Sequence, residues 1–76
     1  MKELLEMIAR ALVDHPEQVE IRSIEGQQVI MLELSVHPED VGKVIGRHGR
    51  TADAIRTIFG VAGMKLHKRV RVEIIQ

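Results

Sequence analysis

The sequence predicts an α+β domain in the order α-β-β-α-α-β, with a three-stranded mixed sheet and three helices packed on one face. Three observations lead there. The apolar period changes from helical to two near Val19, and back to helical after Pro38. The first two strand patterns are separated only by Glu25-Gly26-Gln27-Gln28, a short turn that makes them an antiparallel hairpin. The second and third strand patterns are separated by roughly thirty residues of helical pattern, enough of a crossover to bring the last strand back parallel to its neighbour.

Each element has its own local reasons. Residues 2–13 carry apolar side chains at Leu4, Leu5, Met7, Ile8, Ala11 and Leu12, a helical stripe with Glu3, Glu6 and Arg10 outside it. Asp14-His15-Pro16 ends that helix, because the residue before proline is driven out of helical geometry. Val19 and Ile21 then alternate with Glu20 and Arg22, and beyond the turn Ile30, Leu32, Leu34 and Val36 alternate with Met31, Glu33 and Ser35. Gly26 supplies the positive φ that such turns often need. His37-Pro38-Glu39-Asp40 reads as a helix start, with proline in the first turn and two carboxylates near the positive end of the helix. The short helix buries Val41, Val44 and Ile45 and stops at Gly46-Arg47-His48-Gly49. In the next helix Ala52, Ile55, Ile58, Phe59 and Ala62 face inward and Arg50, Asp53, Arg56 and Thr57 outward, with Gly60 and Gly63 loosening its end. A basic loop over 64–68 leads to a last strand in which Val70, Val72 and Ile74 alternate with Arg69, Arg71 and Glu73.

Composition narrows the function. Seventy-six residues make one domain, 1–76, of modest expected stability, and 45% apolar residues are enough to bury a core. That core is aliphatic, since Phe59 is the only aromatic residue apart from histidine, so stacking of bases on aromatic rings is nearly excluded. The absence of cysteine excludes disulfides and thiolate metal sites. The first residues alternate charged and apolar side chains, unlike a signal peptide, and no apolar run approaches membrane-spanning length; the expectation is a cytoplasmic protein with no membrane partner. His15, His37 and His67 are scattered, without an HExxH pattern or paired carboxylates, so no catalytic centre, metal, cofactor or small-molecule substrate is expected.

The net charge is zero but unevenly spread. Residues 1–41 hold three basic and nine acidic side chains, residues 42–76 eight basic and two acidic. A chain divided this way presents one basic face if its halves stay apart in space, the footprint of a phosphate-backbone binder.

The element with the most chemical content is Gly46-Arg47-His48-Gly49. Two glycines at this spacing allow a turn without bulk, so a sugar-phosphate backbone can approach the protein backbone closely. The following helix begins there, and its unpaired N–H groups and dipole favour an anion. Arg47, Arg50 and, one turn upstream, Lys43 add cationic donors. Nucleotide-binding loops fit poorly: counted from Gly42, the second glycine of G-x-x-x-x-G-K-[ST] falls at Arg47, and G-x-G-x-x-G fails at Val44.

Val44-Ile45-Gly46-Arg47-His48-Gly49-Arg50-Thr51, set between two helices and bracketed by strands, resembles the signature of the KH domain, and the added N-terminal helix and strand resemble its type II form. With Gly49–Arg56 reading Gly-Arg-Thr-Ala-Asp-Ala-Ile-Arg, the whole chain is similar to the small bacterial single-domain KhpA family. The resemblance implies binding of single-stranded RNA, an RNA-chaperone role, homodimer formation, a complex with a KhpB/Jag-like protein, and a link to cell-envelope homeostasis and cell length. It places RNA backbone over Gly46, Arg47, His48 and Gly49, with Lys43 and Arg50 beside them and Val44 and Ile45 in or under the groove floor. The opposite wall would come from Met31 and Glu33 and from a variable loop over roughly 60–68, where Lys65 is the first candidate and Lys68 the second. Ile58 to Val61 are candidates for the contact between copies. Two other readings remain open: a helix-turn-helix DNA-binding module, and a protein-interaction module whose loop binds nothing.

Overall fold

Helix α1 (Lys2–Leu12) ends at Val13, whose extended backbone turns the chain toward a 3-10 turn at Pro16–Gln18. In the computed structural model, which describes Met1–Gln76, there follow strands β1 (Glu20–Glu25) and β2 (Val29–Ser35), a 3-10 turn at Pro38–Asp40, helix α2 (Val41–Ile45), a 3-10 turn at Arg47–Gly49, helix α3 (Arg50–Lys65) and strand β3 (Arg69–Ile74). The predicted order and fold class are therefore the observed ones. The sheet runs β1-β2-β3. β1 and β2 are antiparallel, with Ile21 opposite Leu34 and Arg22 opposite Glu33. β2 and β3 are parallel, with Ile30 beside Val70 and Leu32 beside Val72. The hairpin turn closes through Gly26 N–H donating to Val29 O at 2.7 Å, and Gly26 does not take the positive φ expected of it.

The period of two decides which face of the sheet is covered. Ile21, Ile30, Leu32, Leu34 and Val72 meet Leu5 and Ala9 of α1, Val44 of α2, and Ile55 and Phe59 of α3 in one core. Phe59, at the centre, is fully buried, and burying a side chain of this kind contributes about 1.5–3 kcal/mol. The opposite face is open, and Arg22 and Glu33 pair across it at 3.7 Å.

Two helix readings are corrected. In α1 the buried line is Leu5 and Ala9, flanked by Met1, Ile8 and Val13, whereas Leu4, Met7, Ala11 and Leu12 are exposed. Apolar residues occupy more than half of the circumference of α1, so the pattern alone does not fix its rotation. α3 runs through Gly60 and Gly63 to Lys65 without loosening, and Ile58, expected inside, is half exposed.

Candidate nucleic-acid interface

Three positions with positive φ, Gly46, His48 and Gly49, determine the shape of the loop between α2 and α3. Gly46 adopts φ 78°, ψ 173°, a region effectively reserved for glycine, and its N–H donates to Gly42 O at 2.9 Å to close α2. His48 (φ 57°) and Gly49 (φ 74°) are left-handed, and Gly49 N–H donates to Gly46 O at 3.1 Å. A Cβ on Gly46 would lie against Thr51, 2.7 Å from its Cβ and 2.9 Å from its N, so the loop is folded back onto the first turn of α3. One around Gly49 would meet nothing. The loop therefore has no room for a side chain at Gly46, and open space at Gly49.

Arg47, His48 and Arg50 are exposed, and neither arginine is engaged in an ion pair, which leaves both guanidinium groups available to an anion. At the start of α3 the Arg50 N–H donates to Arg47 O, and the remaining first-turn N–H groups have no partner within the helix. Val44 is fully buried beneath the loop and Ile45 partly exposed beside it.

Lys43 is placed differently from the arginines. Its Nζ lies 3.1 Å from Asp14 Oδ2 and 3.9 Å from Asp40 Oδ1, which ties α2 to the end of α1. The hydrogen bond to Asp14 is the main cause of a raised Lys43 pKa, with the attraction of Asp14 next. Asp40 is 1% exposed. Desolvation is the largest single influence on it and pushes its pKa up, but the backbone N–H groups of His15 and Asp14 and the charges of His15 and Lys43 together outweigh it, so the pKa is lowered. Reaching a phosphate would require Lys43 to leave Asp14.

β3 is an edge strand and packs along α3, the helix that begins directly after the loop. Arg69 N–H donates to Gln28 O and Ile75 N–H to Leu34 O, so odd-numbered residues pair with β2 and the N–H and C=O groups of Val70 and Val72 face the free edge. Arg56 Nε donates to Val72 O at 3.2 Å across the seam between α3 and β3. A groove of about 250 Å³ lined by Arg56, Val70, Arg71, Val72 and Glu73 adjoins one of about 450 Å³ lined by Gly60, Met64, His67, Lys68, Arg69 and Val70.

This arrangement, a Gly-x-x-Gly turn opening a helix that packs beside a parallel edge strand, is matched by known sequences over nearly the full chain. The family described as KhpA/KhpB, KH domain, matches residues 2–74. The chain belongs to that family. The RNA-binding protein KhpA of Clostridium acetobutylicum is 57% identical over 75 residues, covering 99% of this chain and 100% of the relative. Those of Borreliella burgdorferi and Aquifex aeolicus are 48% and 43% identical, covering 96% and 100% of this chain and 89% and 96% of theirs. These relatives are named as RNA-binding proteins, not enzymes. No solved structure matches the chain with comparable significance. No helix is long and apolar enough to cross a membrane.

Within the KhpA/KhpB frame, three sequence readings shift position. Met31 and Glu33 project from the open face of the central strand, opposite to Ile30, Leu32 and Leu34, so the wall beside α3 is β3 instead. The variable loop shrinks to Leu66–Lys68, because α3 claims Lys65, and Lys68 rather than Lys65 lines the groove. Arg56, which periodicity marks only as outward-facing, spans the seam. Its position seven residues after Gly49, two turns along the same helix face, is the signal that could have found it.

Proposed function

We propose that this chain grips the backbone of single-stranded RNA at Gly46, Arg47, His48 and Gly49, with the bases lying over the α3–β3 seam. The observation that carries the reading is the exposed, glycine-shaped turn with two unpaired arginines at the start of a sixteen-residue helix. Arg47 and Arg50 supply charge-assisted hydrogen bonds to phosphate, and His48, held outward in left-handed geometry, lies on the same surface. Ile45 borders the floor and Val44 supports it; Lys43 and Lys65 contribute at longer range. The N–H and C=O of Val70 and the N–H of Val72, on the free edge of β3, offer hydrogen bonds to base edges that an aromatic-free groove cannot replace by stacking, while the Val72 carbonyl is held by Arg56. A KH groove typically holds about four nucleotides of single strand.

Such a site binds modestly, and the proposal extends to a homodimer. Ile58, Val61 and Met64 form an exposed apolar row on α3, the kind of surface that a partner copy covers. The resemblance further supports a cytoplasmic RNA chaperone working with a KhpB/Jag-like protein in cell-envelope homeostasis and control of cell length.

The test is the double variant Arg47→Asp/His48→Asp. Aspartate tolerates left-handed backbone better than most residues, so the turn should survive. One reversed and one added negative charge at a phosphate contact should weaken binding of a short single-stranded RNA, read by fluorescence anisotropy, by at least about a hundredfold. Circular dichroism and sedimentation should match the parent. Unchanged affinity would sink the reading, and tighter binding of duplex DNA than of RNA by the parent would favour a helix-turn-helix mode.

A further inference from the structure

The histidines that look scattered in sequence are not scattered in space. His15, in the turn after α1, and His37, just after β2, stack their rings with centroids 4.1 Å apart and planes inclined by 23°. Glu39 joins them, its Oε1 3.7 Å from His15 Nε2 and 3.8 Å from His37 Nδ1. One ligand atom from each of the three lies within 4.8 Å of the others. Glu17 Oε1 stands on the far side of His15, 3.6 Å from Nδ1.

We propose that His15, His37 and Glu39 form a site for a transition-metal cation of the Zn²⁺ class, with water completing it and Glu17 placed to hold the other ring nitrogen of His15. Two imidazoles and one carboxylate are a donor set that suits Zn²⁺, Ni²⁺ or Cu²⁺ and not Mg²⁺ or Ca²⁺. Donors around a tetrahedral Zn²⁺ sit about 3.3 Å apart, given metal–ligand bonds near 2 Å. Closing the cluster to that spacing takes two local motions. Glu39, whose side chain is exposed, swings inward, and the rings splay until a lone pair of each, which lies in its ring plane, points at a common centre.

What binding sacrifices is small. His37 Nδ1 accepts the Glu39 backbone N–H at 3.0 Å, an exposed hydrogen bond that is lost whichever ring nitrogen takes the cation. The backbone beneath is fixed: His15 N–H donates to the buried Asp40 Oδ2 at 2.9 Å. The charge is favourable too, because Asp14 and Asp40 occupy the one nearby cation, Lys43. A bound ion would clamp the end of α1 to the turn that opens α2, and so support the segment leading into Gly46–Gly49. Its role would be structural, stabilising the folded chain by mass action.

The experiment uses the full chain without an affinity tag, titrated with Zn²⁺ by calorimetry with chelator competition and followed by thermal denaturation. The expected result is one Zn²⁺ per chain and a melting temperature raised by several degrees, with no such rise in Mg²⁺ or Ca²⁺. His15→Gln and His37→Asn should each weaken Zn²⁺ binding by about tenfold or more, and the double variant should lose the thermal shift. Asparagine at 37 retains an acceptor for the Glu39 N–H, so metal-free stability should be close to the parent's. His48→Asn and His67→Asn should leave both readouts unchanged. Absence of stoichiometric binding, or parental Zn²⁺ affinity in the double variant, would overturn the proposal.

Discussion

Gly46 and Gly49 bracket the loop symmetrically in sequence and meet different demands in space. Gly46 is required twice over, by φ 78° with ψ 173°, and by the approach of Thr51 to where a Cβ would sit. Gly49 is required only by a left-handed φ with open space around it. Gly46→Ala should therefore lower stability by about 2 kcal/mol or more, from backbone strain of about 1–3 kcal/mol with the collision added. Gly49→Ala should lose about 1–2 kcal/mol, and Gly49→Asn less, because asparagine enters left-handed geometry more readily. Urea denaturation of the three variants checks the ranking, and equal losses at both positions would refute it. The sequence shows that both glycines matter to a turn. It does not show that Thr51 is the side chain packed on Gly46, because that contact depends on how the loop folds back over α3.

At the scale of elements, α3 holds the clearest contrast between what pattern reveals and what it hides. Gly60 and Gly63 look alike as helix weakeners, and the helix passes through both. At Gly60 an added Cβ meets nothing, whereas at Gly63 it would fall 2.6 Å from Lys68 O and 2.7 Å from Val70 Cγ2. Gly63 is where the chain turning into β3 packs against its own helix, and Lys68 N–H closes that turn on Gly63 O at 3.0 Å. Gly60→Ala should stabilise the protein by about 0.5–1 kcal/mol through helix propensity. Gly63→Ala should destabilise it, since backbone at Lys68 must shift to make room. Thermal melts of the pair should move in opposite directions. Periodicity located every strand and helix here because tertiary packing agrees with it. It failed on the rotation of α1 and the end of α3, where the deciding contacts are with a sheet whose strand order the local sequence does not state.

For the whole molecule, strand order decides what the uneven charge means. The acidic first half supplies α1 and the β1 edge, and the basic second half supplies α3 and the β3 edge, with β2 between them. Apart from Lys43, which pairs with Asp14 and Asp40, the two halves supply opposite edges of the sheet, so a chain of zero net charge places Arg56 and Lys68 along the α3–β3 seam and Arg47 and Arg50 at the start of the same helix. The same α3 carries Val61, 55% exposed, next to the seam-lining Gly60, so an interface between copies on this helix would set two grooves near one another. Val61→Lys places a charge in the proposed interface without touching the core, and should turn the proposed dimer into a monomer in sedimentation equilibrium. A short RNA of about four nucleotides fills one groove and should bind the variant and the parent alike. An RNA long enough to reach both grooves gains from millimolar effective concentration, so its affinity should fall by about a hundredfold or more in the variant. The comparison of short and long RNA separates pairing of grooves from damage to a groove: loss on both lengths would mean that Val61 supports the site itself, and loss on neither would mean that each copy binds alone.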